Sequence, residues 1–133
     1  MGAHEFMYTN GTRLLFVGDE LDFVVIRERM RKFDCNVEFA LTGREALLKL
    51  ETNHYGACLI AVMATSMDFV QVASIIRDEV HQKIPIIVMS ESLSEDYRNR
   101  ILAGGVRACV ERPWDDRAMA AVVETIRHHG NDE

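Results

Sequence analysis

The residues able to do chemistry stand where apolar runs end. Gly18-Asp19-Glu20 follows the run at residues 14–17, Ser90-Glu91 the run at 84–89, and Arg112-Pro113-Trp114 the run at 108–110, while Ala61 lies inside the run at 57–63. Carboxylates are ligands for hard cations, and hydroxyl and guanidinium groups bind oxyanions. Cation or oxyanion binding is therefore the chemistry these residue types could serve. Other groups offer less. Cys35, Cys58 and Cys109 cannot all pair and form no C-x-x-C, so they read as buried thiols of a reducing compartment. His128-His129 has no cysteine or carboxylate at ligand spacing and reads as the positive end of a last helix. Arg27, Arg29, Arg31 and Lys32 are interleaved with Glu28, the pattern of a solvated helix face. A flavodoxin-type nucleotide site would want a Gly/Ser/Thr-rich loop after the first strand, where this chain has the acidic Gly18-Asp19-Glu20-Leu21-Asp22.

The elements that must position these residues are legible from periodicity. The four apolar runs have the length and composition of strands buried on both faces. Val37, Phe39 and Leu41 alternate with Asn36, Glu38 and Ala40, which predicts an edge strand with one covered and one wetter face. Steps of three and four link Phe23, Ile26, Met30 and Phe33, then Phe69, Val72, Ala73, Ile76 and Val80, then Met119, Val122, Val123 and Ile126. Met30, Met63, Met89 and Met119 fall on apolar faces and read as core filling. Thr42-Gly-Arg-Glu45 has capping-box spacing. Ser94 followed by Glu95 and Asp96 predicts another helix start, and Gly104-Gly105 its end. Asp115-Asp116 can cap the last helix.

Five strand–helix units in succession predict an α/β, flavodoxin-like fold. The sheet is a doubly wound five-stranded parallel one of order 2-1-3-4-5, with helices on both faces. Ligands of such sheets sit outside the carboxyl ends of the strands, where the four clusters fall. Residues 1–6 read as an appended cloning tail and 7–133 as one domain.

Composition narrows the function. The 133 residues are 48% hydrophobic and 27% charged, a globular balance with enough chain to bury a core. Fifteen Lys and Arg against 21 Asp and Glu give a net charge of −6, which argues against nucleic acid as a direct partner. No apolar run approaches the roughly 18–20 residues of a membrane span, and the start lacks the features of a signal peptide. A cytoplasmic domain that binds neither membrane nor nucleic acid is the expectation.

At the strand ends the sequence resembles the receiver domain of two-component response regulators, from about residue 12 to residue 128. LLFVGDELDF is similar to that family's first strand and acidic pair. TGREALLKLETNHYGACLIAVMATSMDF resembles its second helix, third strand and following loop, IPIIVMSES its fourth strand, and LAGGVRACVERPW its fifth strand with the Lys-Pro turn. The resemblance implies phosphoryl transfer to an aspartate, an acidic pair helping to hold Mg²⁺, and a hydroxyl and a lysine that read the phosphoryl oxygens. Its motif positions fall on Gly18, Asp19, Glu20, Ala61, Ser90 and Arg112, with Cys109 at the aromatic switch position.

The departures from the family pattern decide the expected function. Ala61 at the acceptor position has no lone pair to attack with, Gly18 replaces one acidic residue, and Arg112 replaces the lysine. Asp19, Glu20 and Ser90 are kept. Glu91 adds charge where the family has a small residue, and Thr65 stands in place of a proline. No catalytic residue, no cofactor and weak or absent Mg²⁺ binding are expected, with Arg112 reaching across to Asp19 as an internal ion pair. The reading is a pseudo-receiver, a non-enzymatic protein-interaction module of bacterial signalling that is independent of phosphorylation. Its alternatives are an ordinary phosphoreceiver studied as an acceptor-site mutant, a neighbouring acceptor such as Asp68 or Asp19, and a small-ligand module using room left by Gly18 and Ala61. The partner is another protein, a second copy or a fused effector domain. The resemblance places the docking face on Tyr97, Arg98, Arg107, Arg117 and Ala121, with Ala118 beside them. Trp114 is either core packing or an interface anchor. The family's peptide bond before Pro113 is usually cis.

Overall fold

The computed structural model describes residues 11–62 and 84–131. The predicted helix through Phe69 to Val80, together with Met63, Thr65, Asp68 and the first ten residues, lies outside the described residues.

Five strands form one parallel sheet: β1 (Thr12–Val17), β2 (Cys35–Ala40), β3 (Ala57–Val62), β4 (Ile86–Ser90) and β5 (Ala108–Glu111). Their order is β2-β1-β3-β4-β5, as the alternation of strands and helices predicts. The described helices are α1 (Glu20–Met30), α2 (Gly43–Thr52), α3 (Glu95–Ala103) and α4 (Asp116–Asn131), with a 3-10 turn at Arg31–Phe33.

Strand alternation divides the apolar residues between two cores. Leu15, Val17, Cys58, Ile60, Ile86 and Val88 join Ala46, Leu50 and Ile101 of α2 and α3 on one face. Leu14, Phe16, Leu59, Ala61, Ile87 and Met89 join Ile26, Met30, Met119 and Val122 of α1 and α4 on the other. Each large side chain so buried contributes about 1.5–3 kcal/mol.

The helix ends follow the local code. Thr42 accepts from Glu45 N at 3.1 Å, and Glu45 Oε1 accepts from Leu41 N, one residue before a standard capping box. Ser94 accepts from Tyr97 N and Asp115 from Ala118 N. Gly105, at φ +96°, closes α3 in a conformation glycine adopts without penalty. His128 pairs with Glu124 at 2.9 Å, so a carboxylate does stand one helical turn away, contrary to the sequence reading.

Two expectations are corrected. β5 is partly buried along its whole length rather than covered on both faces, because it is an edge strand. In β2, Ala40 is buried in the first core and Leu41 is 55% exposed, since the strand ends at Ala40 and the chain turns into the α2 cap. Cys35 and Cys58 are buried, and burial pushes their thiols up to about 11 and about 12, so neither is a poised thiolate.

The amino-terminal side of the sheet is tied by Arg13, whose guanidinium bonds Glu38 at 2.6 Å and stacks on Tyr55, while Tyr55 OH donates to Glu38 at 2.8 Å. Burial alone would raise the Glu38 pKa, but the hydrogen bonds from Arg13 and Tyr55 win and hold it below the ordinary carboxylate value. Glu111 is lowered too, by the Leu93 N–H and by Arg98. A carboxyl whose folded pKa is depressed stabilises the fold above its unfolded pKa, and that stability is lost as pH falls through the folded value. The urea midpoint should therefore be level between pH 7 and about pH 5 and fall below about pH 4. Glu38→Gln should lower the neutral-pH midpoint and flatten the acid decline, and an unchanged decline would contradict the assignment.

Candidate functional site

The carboxyl ends of β1, β3, β4 and β5 come together, and two separate arrangements form there. One is apolar. Gly18 leaves β1 with its N–H donating to Ala40 O at 3.1 Å. A Cβ at Gly18 would lie 2.8 Å from Ala61 Cβ and 2.9 Å from Phe16 Cε2, closer than carbon atoms pack. Ala61 is 1% exposed, and Phe16 and Met89 share its core. The room expected around Gly18 and Ala61 is not there at position 18: the Phe16 ring and the Ala61 methyl occupy it.

The other arrangement is ionic. Arg112 Nη2 donates to both carboxylate oxygens of Asp22, at 3.0 and 3.1 Å, and Nε donates to Glu91. Its guanidinium lies 3.8 Å from the centre of the Trp114 ring, within cation–π range. Partial burial lowers the Arg112 pKa, but its hydrogen bonds to Asp22 and Glu91 outweigh it and raise the value above that of an ordinary arginine. The expected partner, Asp19, is engaged elsewhere. It is the α1 N-cap, accepting from Asp22 N at 2.8 Å.

The remaining positions are separated from these. Ser90 is fully buried and its Oγ has no hydrogen-bond partner among the described residues. By strand alternation it lies on the opposite face of β4 from Met89, the residue in register with Ala61. Glu20 is exposed in the first turn of α1. Cys109 is half-buried against the first core and burial raises its thiol pKa. The Arg112–Pro113 peptide is cis.

On the expected docking face, Tyr97 is 38% exposed, and Arg107, Arg117 and Ala121 are exposed. Arg98 is engaged by Glu111, joining α3 to β5. Trp114 is 5% exposed, packs in the second core and donates from Nε1 to Val110 O at 3.3 Å, so it is not available as a surface anchor.

These side chains offer few ligands to a divalent cation. Gly18 and Ala61 bring no side-chain oxygen, Oδ1 of Asp19 is used by the cap, and Asp22 and Glu91 already hold a cationic side chain. Among the described residues no group of three or more His, Cys, Asp and Glu side chains is placed to hold a metal ion. Asp22 and Phe16 are the residues that sequence reasoning missed. The signal for Asp22 was its spacing of three from a capping Asp19. For Phe16 it was a large ring two residues before a glycine, on the same strand face.

Comparison with known proteins places the arrangement. The family model described as response regulator receiver domain matches residues 15–124. The receiver domain of a Francisella response regulator superposes with a TM-score of 0.78 at 20% identity, over 90% of this chain and 99% of its own. The chemotaxis response regulator CheY4 of Vibrio cholerae gives 0.76 at 18%, over 88% and 99%. The receiver domain of the sensor histidine kinase PA1611 of Pseudomonas aeruginosa, solved with a magnesium ion coordinated in its active site cleft, gives 0.75 at 21%, over 89% and 98%. A search of curated proteins returns no match.

Gly18→Ala should test the apolar arrangement. Restricting the unfolded chain would stabilise by about 0.4–1 kcal/mol, while overpacking costs about 1–3 kcal/mol, so net destabilisation is expected in urea titrations. Adding Phe16→Leu should recover part of the loss; if it recovers none, Phe16 is not the obstructing group.

Proposed function

The chain belongs to the response regulator receiver domain family, and from that premise we propose that it acts as a phosphorylation-independent receiver, a protein-interaction module in two-component-type signalling. One observation carries the reading: one residue before the end of β3 the family's acceptor position holds a buried methyl, Ala61, which with the Phe16 ring closes the space at Gly18. An alanine side chain offers no nucleophile at position 61, and a carboxylate of the family pattern would find no room at Gly18. An acceptor-site variant of an ordinary phosphoreceiver would differ at Ala61 alone. Here Gly18 also stands against the Phe16 ring, and Arg112 is paired with Asp22 and Glu91, which favours an inherited loss.

On this reading the domain is not an enzyme, uses no cofactor and works in the cytoplasm. No described helix is long and apolar enough to cross a membrane. The partner is a protein, either a second copy or a fused or separate effector, and the net charge of −6 sets it apart from nucleic-acid binders. Exposed Tyr97 on α3, Arg107 just before β5, and Arg117 and Ala121 on α4 are the face proposed for docking. The small-ligand alternative loses its main support with the closing of the space at Gly18.

Incubation with acetyl phosphate and Mg²⁺, read by intact mass, should leave the protein unmodified. A hydroxylamine-labile adduct of about 80 Da would mean that a carboxylate here accepts phosphoryl groups, and the reading would fail. Light scattering over a dilution series separates the partners. A dimer that persists at low micromolar concentration and is weakened by Arg117→Glu identifies a second copy, whereas a monomer throughout assigns the face to a different protein.

A further inference from the structure

We propose that Arg112 is the resident cation of the strand ends, a built-in substitute for a divalent ion that holds three segments together without one. The guanidinium joins Asp22 at the start of α1, Glu91 after β4, and its own position after β5, with the Trp114 ring as its floor. Backbone hydrogen bonds tie only neighbouring strands there, Gly18 N to Ala40 O and Arg112 N to Ser90 O. β1 is not a neighbour of β4 or β5 in the sheet, so the Arg112 side chain supplies the link between them. The Asp22 side chain is only 14% exposed, so its attraction to Arg112 is screened less than a surface pair. A guanidinium suits the task because it is planar, permanently charged and offers donors to two carboxylates at once.

The substitution has a chemical corollary. With Arg112 in place an external divalent ion meets a cation and gains nothing. With Arg112 removed, Asp22 and Glu91 remain as two carboxylates facing one gap, and Mg²⁺ is commonly held by one or two carboxylates with the rest of its shell water. The cation preference of the site is therefore set by one side chain.

The inference deepens the phosphorylation-independent reading, and the two fail separately, since acetyl phosphate labelling tests that reading and metal titration tests this one. Thermal unfolding of the wild type should not change between EDTA and 10 mM Mg²⁺ at matched ionic strength. Arg112→Gln should melt lower and recover several degrees in Mg²⁺ but not in matched NaCl. Glu91 is mostly exposed, so Glu91→Gln should fold normally and serves as the second variant. It should shift the emission of Trp114, the chain's single tryptophan, by loosening the guanidinium above it. The proposal is overturned if Arg112→Gln responds to Mg²⁺ no more than the wild type does. Should that variant not fold, unchanged Trp114 emission in Glu91→Gln overturns it instead.

Discussion

A parallel sheet with helices on both faces must bury its central strands twice over, and this requirement governs everything else in the chain. β1, β3 and β4 meet it by sending alternate side chains into two separate apolar cores. Polar chemistry is then confined to the strand ends, where the covering helices stop. In this chain the apolar packing continues to those ends. Phe16, Gly18 and Ala61 touch where two strands finish, and the large ring is accommodated because position 18 has no side chain. The same three residues therefore carry the second core out to the strand ends.

The ionic group beside them follows from a competition for carboxylates. An N-cap is worth about 1 kcal/mol, and a typical exposed ion pair about 0–1 kcal/mol. Asp19 is where the chain enters α1, and its Oδ1 accepts from Asp22 N. Capping orients that carboxylate toward the first turn of the helix. The same turn brings Asp22 to the edge facing Arg112, so the cap and the ion pair are parts of one geometry. The Trp114 ring beneath the guanidinium adds cation–π attraction and excludes water from one side of it.

The fold was legible because it depends on patterns that repeat. The order of strands and helices, the capping residues and the Gly104-Gly105 stop read correctly from local sequence, while the alternation read in β2 ran one residue too far, to Leu41. Together these signals leave few topologies. Edges read less well: β5 has a buried strand's composition but lacks a neighbour on one side, a fact about topology and not about its residues. The strand-end residues were identified, yet their partners were not. Arg112 was paired with Asp19 because that aspartate stands at a family position, whereas capping decides which carboxylate is free. The closing of the space at Gly18 was hidden for another reason. Two small residues read as a gap unless the neighbour that fills it, Phe16, is placed on the same face.

A domain held at its strand ends by its own side chains differs in kind from one that waits for a bond to be made. A signal that shifts a population needs two states and a ligand that prefers one of them. Here the groups that would distinguish such states are joined to one another: Arg112 to α1 and to the β4–α3 connection, and Arg98 of α3 to Glu111 of β5. On the phosphorylation-independent reading, the conformation of the α3–β5–α4 face is then fixed by folding alone. Output from that face depends on how much partner is present and how well it fits, because bound partner stabilises the complex by mass action. On the same reading, the methyl of Ala61 at the family's acceptor position and the ion pairs of Arg112 point the same way, toward a surface that is always presented.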